Sequence, residues 1–73
     1  MNHSKPFVAS LFRQGETEPF AQEVLDAQDP TLAEEAARSW AVAYIARGGI
    51  TAHTTLHLTH DGKGKFLQEW GAP

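Results

Sequence analysis

Three histidines, His53, His57 and His60, lie close together in the segment TAHTTLHLTHDG, residues 51–62, and could bind a metal ion or transfer protons. On an α-helix this spacing would place the three imidazoles on one side, where a zinc ion could be held. On a β-strand, His53 and His57 would share one face while His60 would point to the other. The chemistry available to the histidines therefore depends on the secondary structure of this segment.

The segment has the composition of a strand. Threonines and alternating apolar residues favour a strand from Ile50 to His60, with Gly48-Gly49 before it and the turn-forming Asp61-Gly62 after it. Two histidines four positions apart on a strand are separated by about 13 Å, too far for one metal ion with nitrogen ligands at about 2 Å. We therefore predict solvated histidines, no metal site, no cofactor and no organised catalytic set.

Composition limits the class of protein. The 73 residues are 41% hydrophobic and 21% charged, which is typical of one small globular domain spanning residues 1–73. The absence of cysteine excludes a disulfide framework and a thiolate nucleophile. The amino terminus MNHSKPFVAS lacks the apolar segment of a signal peptide, and no run of about 20 apolar residues could span a bilayer. We expect a cytoplasmic protein with no membrane partner.

Charge argues against nucleic acid as a partner. The net charge is −3, and seven of the nine acidic residues lie between Glu16 and Glu35. The six lysines and arginines are scattered along the chain. Nucleic-acid-binding proteins usually carry a basic stripe, because phosphate neutralisation supplies much of their affinity, and this sequence has none.

The clearest element is a helix over DPTLAEEAARSWAVAYIARGG, residues 29–49. Asp29 is suited to cap it, Pro30 to occupy its first position, and Glu34 to pair with Arg38 one turn later. Gly48 or Gly49 is expected to end it. The predicted apolar stripe, with Trp40 as the main anchor, comprises Leu32, Ala36, Trp40 and Ala43 or Tyr44, widened by Ala33, Ala37, Ala41 and Ile45.

The remaining chain predicts strands. Residues 5–14 form a first strand after Pro6 with two apolar faces, and residues 20–28 form a second, with a short helix as the alternative. The last strand covers residues 65–70 after the turn HDGKG. The predicted fold is α+β, a two-layer ββαββ domain with one helix packed on a mainly antiparallel sheet of three to four strands.

The length of the last turn decides which side chains face the helix. A two-residue Asp61-Gly62 turn would put Phe66 and Trp70 on the face of His57, whereas an odd-length loop would put them with Leu56. Burying both aromatic rings is worth several kcal/mol at ~25 cal/mol per Å², which favours the odd loop. The predicted core is then Phe7, Leu11, Phe20, Val24, Leu56, Leu58, Phe66 and Trp70. The opposite face receives Val8, Phe12, Leu25, Leu67, His53 and His57.

A sheet face that keeps this many apolar residues outside the core is more often an interaction site than an accident. The predicted partner-binding residues are Val8, Phe12, His53, His57 and Leu67. We predict a non-catalytic protein-interaction or regulatory module that uses a sheet face or edge, with a homodimer as one form. The alternatives are a nucleic-acid-binding module that stacks bases on Phe12 and His57, and a small enzyme or enzyme subunit that uses His53 or His57 as a base.

Overall fold

The computed structural model describes residues 6–48 and 53–71, whose elements follow the order ββαββ. They are β1 (Phe7–Arg13), β2 (Ala21–Leu25), α1 (Pro30–Gly48), β3 (Thr54–His60) and β4 (Lys63–Trp70). Neighbouring strands are antiparallel and form one four-stranded sheet in the order β2-β1-β3-β4. The α+β prediction is confirmed. The expected strand start at Ile50 and the alternative helix end at Gly49 lie outside the described residues.

The helix lies on one side of the sheet because of the strand order. β2 and β3 flank β1, so the chain between them must cross β1, and α1 provides that crossing. The helix contacts all four strands, and the sheet side away from it is called the open face below. Within residues 6–48 and 53–71, no helix combines the length and the apolar character needed to cross a membrane.

The start of α1 follows the predicted capping pattern. The Thr31 amide donates a hydrogen bond to Asp29 Oδ1 at 2.8 Å, and the Ala33 amide donates to the Asp29 carbonyl at 2.9 Å. The Asp29 carboxylate therefore satisfies a first-turn amide that has no partner inside the helix, and the Asp29 carbonyl accepts the first helical hydrogen bond. One turn further on, Arg38 Nη1 lies 3.8 Å from Glu34 Oε1, which confirms the predicted pair.

The helix packs on the sheet through small side chains. Ala33, Ala37 and Ala41 are fully buried, whereas Leu32 is 56% exposed and Ala36 is also exposed. The prediction that Leu32 and Ala36 lead the buried stripe is therefore wrong. Alanine lets the helix backbone approach the strands closely. Ala33, Ala37 and Ala41, which were predicted at the margin of the stripe, therefore form its centre. Trp40 and Tyr44 flank this line and pack against the core while half-buried.

The core lies between α1 and the two central strands. Leu11 and Leu56 are paired across β1 and β3 and are both fully buried. The other buried apolar residues of the cluster are Phe7, Ala9, Leu25, Ala33, Ala37, Ala41 and Leu58. Because a strand alternates its side chains between two faces, the intervening residues of β1 and β3 point to the open face.

The side chains of β2 lie on the opposite sides of the sheet from those predicted. Leu25 pairs with Phe7 and is 7% exposed in the core, whereas Val24 pairs with Val8 on the open face and is 66% exposed. The prediction placed Phe20 and Val24 together on the helix side, and the placement of Val24 is wrong. Phe20 precedes β2, and its half-buried ring packs against the core without setting the parity of the strand.

The prediction of an odd-length loop in the β3–β4 hairpin is wrong. Asp61 and Gly62 form a two-residue turn with positive φ values of 54° and 79°, so Phe66 pairs with His57 on the open face. A bulge follows, after which Trp70 pairs with Thr54 on the helix side. Leu67 packs against the core at this bulge. The extra residue thus lies in the strand, and the predicted faces of Phe66 and Leu67 are wrong while that of Trp70 is right.

Candidate functional site on the open face of the sheet

Every strand contributes a side chain to the open face. Strand register places Val24 of β2, Val8 and Phe12 of β1, His57 of β3 and Phe66 of β4 on this side. Val24 and Phe66, from the two outer strands, are 66% and 55% exposed. Apolar surface therefore extends across the full width of the sheet, with no described element over it.

Three rings meet near the middle of the open face and are called the aromatic cluster. The centroid of His57 lies 5.0 Å from that of Phe12, with the planes tilted by 50°, and 5.8 Å from that of Phe66 in an edge-on arrangement. These distances fall in the range of favourable aromatic pairs. The imidazole of His57 thus fills the gap between two phenyl rings that belong to different strands.

A serine and a histidine are adjacent on this face but are not arranged for nucleophilic catalysis. Ser10 pairs with His57 across β1 and β3, and its hydroxyl accepts a hydrogen bond from Gln22 Nε2 at 3.2 Å. Ser10 is only 4% exposed, so its oxygen is shielded from a substrate on the surface. The adjacency is explained by strand register and by a satisfied buried hydroxyl.

The other two histidines have separate partners. His53 Nε2 contacts Glu69 Oε2 at one end of the open face. His60 stacks on the ring of Phe7 at 4.0 Å on the helix side, so the three histidines divide between two faces as predicted. Among residues 6–48 and 53–71, no group of three or more His, Asp or Glu side chains is placed to hold a metal ion.

The open face is nearly free of charge. Strand pairing places Arg13 opposite Thr54, Lys65 opposite Leu58 and Lys63 opposite His60, all on the helix side. Arg38 and Arg47 are on α1 itself. In the described part of the chain, the lysines and arginines thus avoid the open face, and the strand acid on it is Glu69, which contacts His53.

Comparison with known protein families, curated proteins and solved structures gives no match.

Most of the predicted site residues lie on the open face, and Leu67, at the bulge in β4, does not. Val8, Phe12 and His57 lie together on the open face, and His53 contacts Glu69 at its end. Leu67 does not join them, because it packs against the core. The prediction missed two members, Val24 and Phe66. For Phe66, the two-residue Asp-Gly turn was a signal in the sequence, because that turn pairs Phe66 with His57.

Proposed function

We propose that this protein is a non-catalytic interaction module that self-associates through the open face of its sheet. The observation that carries the proposal is the aromatic cluster of an almost uncharged face, in which exposed Phe66 packs beside half-buried His57 and Phe12. Exposed contiguous apolar surface of this kind favours association, since removing it from water is worth ~25 cal/mol per Å².

A second copy of the chain fits this face better than a charged partner does. Two identical faces that each carried a net charge would repel, whereas these faces present rings, valines and threonines, with one His53–Glu69 pair at the end. A two-fold axis through the aromatic cluster would stack rings of one copy on rings of the other. Such self-complementarity is what a symmetric dimer requires.

The size of the face sets the expected strength of the dimer. Four strands at ~4.8 Å spacing and about six residues at ~3.3 Å each give a face of about 20 by 20 Å. Two such faces would together bury roughly 800 to 1,000 Å², at the low end of specific interfaces. We therefore expect a reversible dimer with a dissociation constant in the micromolar to millimolar range.

The sheet edges are less suited to association than the face. β2 is only five residues long, and β4 carries a bulge together with Lys63 and Lys65. Short edge strands, bulges and lysines all hinder the addition of a further strand. Association by face-to-face packing is therefore preferred over extension of the sheet.

Single-stranded nucleic acid is the alternative ligand for an aromatic face, because bases stack on exposed rings. Here the phosphates would find no described lysine or arginine on the same face, since strand pairing directs Arg13, Lys63 and Lys65 to the helix side. Backbone neutralisation supplies much of the affinity for nucleic acid. We therefore expect no measurable binding of a labelled oligonucleotide at low salt, and tight binding would favour this alternative.

Sedimentation equilibrium over a concentration series tests the proposal. Phe66→Ser should raise the dimer dissociation constant about tenfold or more, because a buried aromatic contact at an interface contributes above ~1.4 kcal/mol. Leu32→Ser is the matched control, since Leu32 is 56% exposed on the helix and Phe66 is 55% exposed on the open face. The control should leave the dissociation constant within about twofold.

Two results would reject self-association through the open face. One is a monomer at millimolar concentration, and the other is an equal loss of association in Leu32→Ser and Phe66→Ser. Isotope-filtered NMR on a mixed labelled dimer gives an independent readout, in which intermolecular contacts should involve Phe12 and Phe66.

A further inference from the structure

A second surface feature lies on the helix side, where β1 ends beside the last turns of α1. Five residues line a pocket of about 280 Å³, here called the arginine pocket: Arg13, Phe20, Tyr44, Arg47 and Gly48. Its volume is near the lower limit of typical small-molecule sites, which suits a ligand of one ring. The aromatic cluster of the open face has no residue in it.

Local backbone structure fixes the β1 side of the pocket. The Glu16 amide donates to the Arg13 carbonyl at 3.1 Å in a turn that needs Gly15 at a φ of 83°, a left-handed value that glycine adopts without strain. The Phe20 amide donates to the Leu11 carbonyl at 2.9 Å, which holds the Phe20 ring beside the end of β1. The guanidinium carbon of Arg13 then lies 4.7 Å from the centroid of that ring.

The helix supplies the other side. Tyr44 and Arg47 are three positions apart on α1, so they project from the same side of the helix. The Tyr44 ring lies 6.1 Å from the Phe20 ring, tilted by 50°, so two neighbouring aromatic rings line the pocket together with the two arginines.

The positive charges of the two arginines in the pocket are available to bind a ligand. Among residues 6–48 and 53–71, Arg38 and Lys65 both pair with Glu34, whereas neither Arg13 nor Arg47 forms an ion pair. Contact of Arg13 with the face of Phe20 is a cation–π interaction that leaves N–H groups able to donate. The negative end of the helix dipole, about half a charge, opposes an anion here, but two full positive charges outweigh it.

We propose that the arginine pocket binds a small anion, a carboxylate or phosphate group attached to a flat apolar ring. Guanidinium groups recognise the oxygens of both acids through charge-assisted hydrogen bonds. Phe20 and Tyr44 would contact the ring. The ligand therefore needs both parts, and neither the acid group alone nor the ring alone should bind as well.

Titration of the ¹⁵N-labelled protein, with arginine side-chain Nε–Hε signals observed, tests the two parts separately. The probes are phenyl phosphate, benzoate, inorganic phosphate and benzyl alcohol, all at constant ionic strength set with chloride. We expect phenyl phosphate or benzoate to shift Arg13 and Arg47 with a dissociation constant about tenfold or more below those of inorganic phosphate and benzyl alcohol. The tighter of the two acids identifies the preferred anion.

Two arginines of the same helix provide a matched comparison. Arg47→Gln should weaken binding of the preferred probe about tenfold, whereas Arg38→Gln, which removes the same charge away from the pocket, should change it less than about twofold. Phe66→Ser, on the other side of the sheet, should leave it unchanged. Preserved amide spectra show that each variant is folded.

Three outcomes would overturn the proposal. The first is the absence of arginine signal shifts with both acid probes at about 10 mM. The second is equal binding of the acid probes and their single-part analogues. The third is an equal loss of affinity in Arg38→Gln and Arg47→Gln. The last would show a response to overall charge with no defined site.

Discussion

The two faces of the sheet are built from the same four strands, yet they differ in how far their side chains are removed from water. On the helix side, Leu11 and Leu56 are fully buried beneath a line of alanines. On the open face, Val24 and Phe66 are more than half exposed, although they are equally apolar. Alternation along the strands supplies apolar residues to both faces, but the chain has one described helix to cover them. Covering the open face would therefore remove more apolar strand surface from water than covering the helix side.

The largest expected effect tests the covered face. Leu11→Ala should lower the free energy of unfolding by about 2 to 5 kcal/mol, because it opens a cavity between α1 and the central strands. Leu32→Ala removes the same atoms from a side chain that is 56% exposed and should cost less than about 1 kcal/mol. Urea unfolding followed by circular dichroism measures both. Equal losses would show that the helix packs through another face.

The alanine line gives the next largest effect. Ala37→Leu should destabilise the protein by about 1 to 3 kcal/mol, because a fully buried methyl contact has no room for three more carbons. Ala36→Leu, one position earlier on the exposed side of α1, should change stability by less than about 0.5 kcal/mol. A stable Ala37→Leu variant would mean that α1 does not approach the sheet as closely as described.

Because of the bulge in β4, the neighbouring residues Phe66 and Leu67 lie on different sides of the sheet. Leu67→Ala should lower monomer stability by about 1 to 2 kcal/mol, somewhat below the usual cost for a fully buried leucine, because Leu67 is half-buried against the core. Phe66→Ala should cost the monomer less than about 1 kcal/mol. Thermal unfolding at a protein concentration well below the dimer dissociation constant compares them without a contribution from the dimer. The reverse order would place the extra residue elsewhere in the hairpin.

The fold could be predicted from sequence because its signals are local. The Asp29 cap, the threonine-rich strand and the Asp-Gly turn each depend on residues near one another, and each is present in the structure. Strand faces were harder to predict, since one misplaced residue inverts a strand. Phe20 lies outside β2 and so does not indicate the parity of that strand, and the β4 bulge has no clear sequence signature.

Strand parity also decides which parts of the candidate sites could be predicted from the sequence. Val8, Phe12 and His57 were correctly placed on one face because β1 and β3 pair and alternate without interruption. The faces of Phe66 and Leu67 were predicted wrongly because the prediction placed the extra residue in the loop, whereas it lies at the bulge that follows Phe66 in β4. The arginine pocket could not be predicted, because Arg13 and Arg47 come together only when the end of β1 meets the end of α1.

The smallest expected effect concerns an ion pair on the covered side. Lys65 Nζ of β4 donates to Glu34 Oε2 of α1 at 2.6 Å, and this contact joins the helix to an outer strand. The hydrogen bond from Lys65 lowers the pKa of the Glu34 carboxyl, partial burial opposes this, and the charges of Lys65 and Arg38 lower it further. Lys65→Met should therefore raise the pKa of Glu34, measured by carboxyl ¹³C NMR.

The sign of the stability effect follows from the lowered pKa of Glu34. A carboxyl with a lowered pKa stabilises the fold above its unfolded-state pKa, and this contribution is lost as the pH falls through the folded-state pKa. The difference in unfolding free energy between the native protein and Lys65→Met should thus be present at neutral pH and vanish in acid. It should be small, because Lys65 is 65% exposed and solvent screens the pair. Lys63→Met, on the same side of β4, is the control and should leave the pKa of Glu34 unchanged. A similar rise in the pKa of Glu34 in both variants would show that the shift comes from the summed positive charge of the lysines. The hydrogen bond between Lys65 and Glu34 would then not be its cause.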